Sequence, residues 1–248
     1  MRELDGTLVV GKVIERAIAA FGKEDVVLCT SPLPMDDDLV TTSENYGIRV
    51  FRGHPEDILL RLLGACREHN ASGMVGNTGE NPIFELDHCL RIRDRIAAGK
   101  DLVRYQGLPI GCSPYGISRA ALETIVSIKE EVDTGFWGYL LNKPDIFAVE
   151  MIEADEEQRM PGMRLTTDYP EDLELMRAIF HKLPGMPSVG DVVALLKREP
   201  ELKAINAIRF QADLEEDIKQ RLALFFQNNS ERVRSELARQ KATFSSVA

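Results

Sequence analysis

The stretch Leu-Thr-Thr-Asp-Tyr-Pro-Glu-Asp at residues 165–172 passes from an apolar run into a helix-initiating triplet. Pro170 suits the first helical turn, which needs no backbone N–H there, and the two carboxylates after it favour the positive helix terminus. Residues 51–57, Phe-Arg-Gly-His-Pro-Glu-Asp, follow the same order. Both stretches predict a strand-to-helix junction. Asp168 differs from its neighbours because it ends the predicted strand, where ligands bind in open α/β sheets.

Outward from these junctions, short apolar runs alternate with segments of helical period. Predicted strands cover residues 26–30, 49–53, 73–76, 146–152 and 164–168. Predicted helices cover residues 10–21, 36–46, 55–66, 85–98, 119–129, 173–183 and 188–198. This alternation is typical of an α/β protein with a largely parallel sheet.

Two regions depart from the alternation. Residues 106–118 carry no charge and several glycines and prolines, which predicts a loop. From Asp213 onward the pattern is helical, with two helices separated at residues 228–230. We therefore predict a domain at residues 1–206 followed by a helical C-terminal arm at residues 207–248.

Composition limits the class of protein. The chain has 248 residues, 44% of them hydrophobic, and a formal net charge of −10, which allows a large core and argues against coating nucleic acid or anionic membrane. No apolar run approaches the ~20 residues of a transmembrane helix. The four cysteines form no C-x-x-C pair, so we expect reduced thiols in a cytoplasmic protein with no nucleic-acid partner and no membrane insertion.

Common catalytic signatures are absent. The sequence contains no Gly-x-Gly-x-x-Gly, P-loop or Gly-x-Ser-x-Gly motif, and its four histidines lack metal-ligand spacing. Asp36-Asp37-Asp38 contains the Asp-x-Asp of metal-dependent glycosyltransferases. Its position at a helix start favours a solvated first turn instead.

Two carboxylates stand at the expected ligand edge of the sheet. Glu80 and Asp168 each follow a predicted strand, and Mg²⁺ commonly takes one or two carboxylates together with substrate phosphates. The pair is therefore a candidate metal site. The alternative interpretation makes Asp168 an N-cap and Glu80 an ordinary loop carboxylate.

Five blocks occur in an order that resembles one family. They are residues 12–17 (Lys-Val-Ile-Glu-Arg-Ala), 50–61 (Val-Phe-Arg-Gly, then Glu-Asp-Ile-Leu-Leu-Arg), 77–82 (Asn-Thr-Gly-Glu-Asn-Pro), 165–172 and 201–206 (Glu-Leu-Lys-Ala-Ile-Asn). Together they resemble the cytidylyltransferases of the acylneuraminate and spore-coat-polysaccharide type, over roughly residues 1–206. The block at 165–172 is the most specific.

The resemblance implies a Rossmann-like nucleotidyltransferase fold, the three-layer sandwich of nucleotide-diphospho-sugar transferases. It also implies a homodimer, Mg²⁺ as cofactor, and CTP and a sugar or sugar acid as substrates, with pyrophosphate released. Asp168 matches the metal-binding aspartate of the family, and Glu80 stands where its Gly-Asp-x-Pro loop has an aspartate. The resemblance further implies nucleotide-binding roles for Arg61, Thr78, Gly79 and Asn81, and substrate-binding roles for Ser113, Tyr115 and Trp137. No catalytic side chain is assigned.

Several departures from the family pattern keep other functions open. The family begins with a strand and a Gly-, Ser- and Arg-bearing triphosphate loop, and Met1 aligns just after them, so we expect that central strand and phosphate site to be missing here. Gly76 replaces a basic residue, and Ser113 and Tyr115 replace acidic ones. The main alternative is thus a non-catalytic relative acting as a binding or scaffold subunit. A glycosyltransferase using Asp36–Asp38 is a third hypothesis.

Overall fold

The structure is a computed structural model that describes residues 1–211 and 213–245. The strands in these residues are β1 (Glu3–Leu4), β2 (Thr7–Leu8), β3 (Val27–Thr30), β4 (Arg49–Arg52), β5 (Gly73–Gly76), β6 (Leu102–Gln106), β7 (Tyr115–Ser118) and β8 (Val149–Glu153). The α-helices are α1 (Val9–Phe21), α2 (Asp37–Tyr46), α3 (Ile58–Glu68), α4 (Leu86–Ala97), α5 (Arg119–Ile128), α6 (Gly138–Leu141), α7 (Pro170–Lys182), α8 (Val189–Arg198) and α9 (Glu216–Ser245).

The strands that position the site form two sheets. β3 and β4 pair in parallel, and the larger sheet has the order β5-β7-β6-β8. Within it β6 and β8 are parallel, while β7 is antiparallel to both β5 and β6. The prediction of a largely parallel sheet is therefore wrong for β7. Only residues 107–114 connect β6 to β7, which is too short for the crossover that parallel pairing requires.

Helices cover both faces of these sheets, giving the three layers of an α/β sandwich. Successive residues of β6 separate the two faces, since Val103 and Tyr105 belong to one apolar core and Leu102 to the other. On the first face α1 contacts both α2 and α4, and on the second α3 contacts β3, β4 and α5. The helix layers thus join the two sheets. Among the described residues, no strand pairs with the edges of β3 and β5 that β4 and β7 leave open.

The neutral stretch at residues 106–118 is more ordered than its composition suggests. The predicted loop contains β7, and the preceding strand β6 was not predicted. Conversely, residues 164–168 form no strand, and only Arg164 makes an isolated parallel bridge, to Ile110. Gly111 explains this close approach, because it has φ +94° and a Cβ there would lie 2.6 Å from the carbonyl oxygen of Leu165.

The C-terminal segment is one helix, α9, where we predicted two. The side chains of Asn229 and Ser230 bond to carbonyl oxygens one turn earlier, so they do not interrupt the helix. The buried residues of α9 continue at helical spacing across this point: Leu222, Phe226, Val233 and Leu237. They pack with α5 in the second apolar core. Ala212 and residues 246–248 of the predicted arm lie outside the described residues.

The fold can be compared with the expectations about the cysteines and about membrane-spanning helices. All four cysteines are free thiols, and Cys66, Cys89 and Cys112 are buried. In the described part of the chain, no helix combines the length and the apolar character needed to cross a bilayer.

His88 provides a test of the core. It lies on α4, is 6% exposed, and stacks on Tyr105 with ring centroids 3.8 Å apart. Burial lowers the pKa of its imidazole to about 4, because the charged form loses hydration. Between pH 6.5 and about pH 4, His88 is protonated in the unfolded chain but stays neutral in the folded chain. The free energy of unfolding should therefore fall as pH drops from 6.5 towards 4.

We predict that His88→Phe flattens this pH dependence while retaining the aromatic stack. The wild-type protein should lose up to roughly 3 kcal/mol between pH 7 and pH 4 through this group, and the variant should lack that component. Guanidinium chloride unfolding at a series of pH values measures the difference. Equal slopes for the two proteins would show that His88 is not held neutral by burial.

Candidate active site

The candidate active site lies where neighbouring strands reach one edge of the larger sheet. Tyr115, the first residue of β7, is in register with Gly76 at the end of β5 and with Arg104 of β6. Since β5 and β6 both oppose β7, they run in the same direction and lead towards this edge. Residues 77–82 follow β5 directly.

The loop at residues 77–82 is braced by its own side chains. Asn77 Nδ2 donates to the carbonyl oxygen of Asn81 at 2.8 Å, and Asn81 Nδ2 donates to Thr78 Oγ1 at 2.6 Å. The Asn81 N–H bonds the carbonyl oxygen of Thr78, which closes the turn and leaves Thr78 and Gly79 exposed. Three predicted nucleotide-binding residues, Thr78, Gly79 and Asn81, therefore share one rigid turn.

The segment that follows this loop, residues 82–84, is held by the buried Arg16, which the sequence analysis did not select. Arg16 on α1 donates from Nε to the carbonyl oxygen of Pro82 at 2.8 Å and from Nη1 to that of Phe84 at 2.9 Å. Its Nη2 donates to the carbonyl oxygen of Pro187. Three carbonyls compensate the buried guanidinium in place of a carboxylate. The loop is thus fixed to α1.

The structure brings the Glu80 loop beside Asp168, as the metal-site hypothesis requires. Thr167 Oγ1 donates to the carbonyl oxygen of Glu80 at 3.0 Å. The carboxylate of Asp168 is 43% exposed, and its Oδ2 accepts from Arg164 Nη2 at 2.8 Å. One carboxylate oxygen of Asp168 thus remains without a protein partner among the described residues. The interpretation of Asp168 as an N-cap is wrong, because Tyr169 is the N-cap of α7.

Arg164 fixes Asp168 through a buried network. Its guanidinium, 3% exposed, also binds the fully buried Asp172, with Nη2 to Oδ2 at 2.9 Å. Asn206 Nδ2 donates to Asp172 Oδ1 at 2.8 Å and to the Arg164 carbonyl oxygen at 3.0 Å. The hydrogen bond to Asp172 raises the pKa of Arg164. The last two family blocks, 165–172 and 201–206, therefore meet in this network.

The carboxylates fit a metal ion only under one condition. In the residues that the structure describes, no group of three or more His, Cys, Asp or Glu side chains could hold a metal. Mg²⁺ commonly completes its shell with water and substrate phosphates. To hold Mg²⁺, Glu80 and the free oxygen of Asp168 would need further ligands from a bound nucleotide, so the metal site stays a prediction.

Arg61 lies near this edge at the start of α3. Its Nη1 donates to the carbonyl oxygens of His54 and Pro55, at 3.0 and 3.1 Å, so part of the guanidinium braces the loop after β4. Its Nε is buried and has no partner within the described chain. Arg61 is therefore positioned as a structural brace that retains an unused donor.

The three predicted substrate residues have different roles. Ser113 Oγ accepts from the N–H of Tyr105 at 3.2 Å and lies 3.3 Å from the Tyr105 carbonyl oxygen, so its hydroxyl stabilises the β6–β7 connection. Tyr115 and Trp137 form an aromatic pair, with ring centroids 4.4 Å apart. A Cβ on Gly76 would lie 2.6 Å from the Tyr115 ring, which explains why a glycine stands there.

Arg104 also borders this aromatic pair, and the sequence analysis did not select it. Its Cζ lies 5.8 Å from the Trp137 ring centroid, and its Nε is buried without a partner in the described residues. Arg104 precedes the neutral stretch at residues 106–118. A lone arginine within the short apolar run at residues 102–105 would have been the only available signal.

The aspartates of the glycosyltransferase hypothesis are engaged elsewhere. Asp36 Oδ2 accepts from Thr30 Oγ1 at 2.8 Å and from the Ser31 N–H at 3.0 Å. The Ser31 hydroxyl, above all, lowers the pKa of this carboxyl. Asp37 pairs with Arg52 at 2.8 Å. These contacts describe a helix start that is tied to β3 and β4.

Comparisons with known proteins agree with the family resemblance. The chain is 28% identical over 202 residues to the spore coat polysaccharide biosynthesis protein SpsF of Bacillus subtilis, covering 78% of this chain and 83% of that protein. No family model matches.

Solved structures show the same fold. A cytidylyltransferase from Leptospira borgpetersenii superposes with a TM-score of 0.74 at 21% identity, covering 86% of this chain and 90% of that one. A CMP:2-keto-3-deoxy-manno-octonic acid synthetase complexed with CTP gives 0.55 at 13% identity, covering 73% and 91%. The predicted Rossmann-like nucleotidyltransferase fold is confirmed, as is the resemblance to cytidylyltransferases.

The Arg164 network leads to a stability prediction. Asp172→Asn should lower the free energy of unfolding by about 3 kcal/mol, because it removes a buried charge from a buried cation. Asp168→Asn, at the more exposed partner, should cost under about 1 kcal/mol. Urea unfolding of the two variants makes the comparison. Equal losses would mean that Asp168 is as structural as Asp172.

Proposed function

We propose that this chain is a CTP-dependent nucleotidyltransferase that activates a sugar or sugar acid for surface polysaccharide or glycan synthesis. The observation that carries the proposal is the hydrogen bond from Thr167 to the Glu80 carbonyl. It places the turn at residues 77–82, with its exposed Thr78 and Gly79, beside Asp168. It supports a nucleotide site because the fold is shared with a CTP-bound synthetase. The SpsF relative, a spore coat polysaccharide biosynthesis protein by name, supports the biosynthetic role.

The proposed reaction transfers a cytidylyl group. A sugar hydroxyl oxygen forms a bond to the α-phosphorus of CTP, and the bond from that phosphorus to the pyrophosphate oxygen breaks. Pyrophosphate leaves with the electron pair, and the hydroxyl proton passes to solvent. Mg²⁺, held by Asp168 and Glu80, would supply charge neutralisation on the phosphates.

The chain's own residues would contribute mostly positioning. The exposed Gly79 lets a phosphate approach the backbone of the turn closely. The guanidinium of Arg61 offers positive charge from α3, while its Nη1 braces the loop after β4. Arg164 holds Asp168 in one place by an ion pair. Such preorganised groups lower the barrier without reorganising during the reaction.

A second candidate function is nucleotide binding without turnover. In this alternative, the turn with the exposed Thr78 and Gly79 and the free oxygen of Asp168 would hold the nucleotide, and the chain would act as a binding or scaffold subunit. The predicted homodimer belongs equally to either function.

Nucleotide choice tests the proposed ligand. CTP with Mg²⁺ should raise the melting temperature, and UDP- or GDP-sugars should not, because the proposal assigns the turn and Asp168 to a cytidine triphosphate. Differential scanning fluorimetry with and without EDTA measures the effect. Stabilisation by a UDP- or GDP-sugar instead of CTP would favour the glycosyltransferase hypothesis.

Pyrophosphate release, followed over a panel of sugars and sugar acids, tests turnover. Asp168→Asn should reduce it on the order of 10²-fold or more while leaving the fold intact, and Asp94→Asn at an exposed position of α4 is the matched control. A wild-type rate in Asp168→Asn would remove this residue from the metal site. CTP binding without pyrophosphate release in the wild-type protein would establish the non-catalytic function.

A further inference from the structure

The first turn of α3 is closed by side chains from two separate segments of the chain. Asp57, the N-cap, accepts the N–H of Leu60 at 3.0 Å through Oδ1. Thr134 lies far along the sequence, yet its Oγ1 accepts the N–H of Leu59 at 3.1 Å. The same hydroxyl donates to Asp57 Oδ1 at 3.2 Å. The start of α3 thus takes one acceptor from its own N-cap and another from the segment that follows α5.

A buried ion pair joins the same two segments. Lys129, which follows the last residue of α5, donates from Nζ to Asp57 Oδ2, and both side chains are 6% exposed. Lys129 Nζ also donates to the carbonyl oxygen of Glu131 at 2.7 Å. Thr134, which is 1% exposed, donates its N–H to the carbonyl oxygen of Glu56 at 3.4 Å. Residues 129–134 are therefore fixed to α3 by contacts that solvent hardly reaches.

Such an ion pair does more for position than for stability. The desolvation of two charges offsets most of their attraction, so an apolar pair of similar volume commonly stabilises a protein as well or better. Hydrogen bonds, unlike apolar contacts, depend on direction. The carboxylate of Asp57 accepts from three donors, namely Leu60 N, Thr134 Oγ1 and Lys129 Nζ. These three bonds together allow one arrangement of residues 129–134 on α3.

Both joined segments continue directly to predicted site residues. On α3, the N–H of Arg61 bonds the carbonyl oxygen of Asp57 at 3.0 Å. On the other segment, the N–H of Trp137 bonds the carbonyl oxygen of Thr134 at 3.0 Å. The ring of Trp137 packs on Tyr115, with centroids 4.4 Å apart, and the charge of Arg61 acts on the same Tyr115. A shift of either segment would therefore move Arg61 relative to this aromatic pair.

We propose that Lys129 is a positioning residue of the candidate site, which sets the place of Arg61 through its ion pair with Asp57. Thr134 carries the same constraint to Trp137. Because a misplacement of about 1 Å can cost a reaction about 10²-fold, a residue that touches no substrate can still control the site. That the ligand beside Arg61 is CTP rests on the proposed function. The coupling between the two segments does not.

The only tryptophan of the chain makes this position measurable. Trp137 is half-buried and lies three residues after Thr134. The emission maximum of the protein and the quenching of its fluorescence by acrylamide therefore report on this segment alone. Neither measurement needs a ligand, so neither depends on the proposed function.

The test uses the double variant Asp57→Asn/Lys129→Met, which removes both charges and leaves neither of them buried alone. Asparagine is as good an N-cap as aspartate, so α3 keeps its start. Lys129→Arg keeps the cation and is the conservative variant. The matched control is Arg67→Met/Glu123→Gln, because these residues form an ion pair between α3 and α5 at the other end of α3.

The double variant should emit at longer wavelength and be quenched more strongly than the wild-type protein. It should also bind CTP with Mg²⁺ roughly tenfold more weakly by calorimetric titration, because Arg61 is no longer held in place. Lys129→Arg and the control should keep wild-type values of all three quantities. A merely structural ion pair would lower only the melting temperature. Thr134→Val, which keeps both charges, replaces the double variant if that protein does not fold.

Two results would overturn the inference. One is a folded double variant with wild-type emission, quenching and CTP affinity. The other is an equal change in the control, since any ion pair on α3 would then have the same effect. Wild-type CTP affinity with an altered tryptophan signal would overturn the role of Lys129 at the nucleotide site. A wild-type protein that binds no CTP would overturn the proposed function, while the tryptophan signal still decides the coupling.

Discussion

The site depends on the buried ion pair between Arg164 and Asp172. The two charges are inaccessible to water, so each requires the other, and Asn206 completes their hydrogen bonds. This requirement fixes the segment 164–172 without a sheet ladder, although a strand was predicted there. Asp168 is attached to the same guanidinium. A structural constraint, rather than regular secondary structure, thus determines where the candidate metal ligand stands.

The sequence predicted the layer architecture well, because amphipathic helices such as α1 and α3 have clear periodicity. It predicted the sheet less well. β6 and β7 were missed because Leu102–Gln106 contains a half-buried arginine and Tyr115–Ser118 lies in an uncharged, glycine-rich run. Both segments are strands because they pair in register with neighbouring strands, which their composition does not reveal. The single α9 was missed because Asn229 and Ser230 suggest a break that their bonds to the preceding turn remove.

The candidate site was partly predictable for a related reason. Glu80 and Asp168 follow apolar runs, and position in the chain alone suggested that they share an edge. Arg16 and Arg104 could not be found this way. The role of Arg16 depends on contacts across 66 residues or more, and Arg104 lies over the ring of Trp137. Ser113 was predicted to bind substrate, but its hydroxyl is hydrogen-bonded to the backbone N–H and carbonyl of Tyr105.

Tyr115 links the shape of the site to its charge. Its ring occupies the space above Gly76, so a side chain at position 76 and an aromatic ring at position 115 exclude each other. The resemblance places a basic residue at the first position and acidic residues at 113 and 115. Here those charges are gone, and the positive charge stands instead on Arg104, across the ring from Gly76. This guanidinium lies over the Trp137 ring, which partly compensates its burial by a cation–π contact. The charged positions along this row of the sheet therefore differ from those that the resemblance implies.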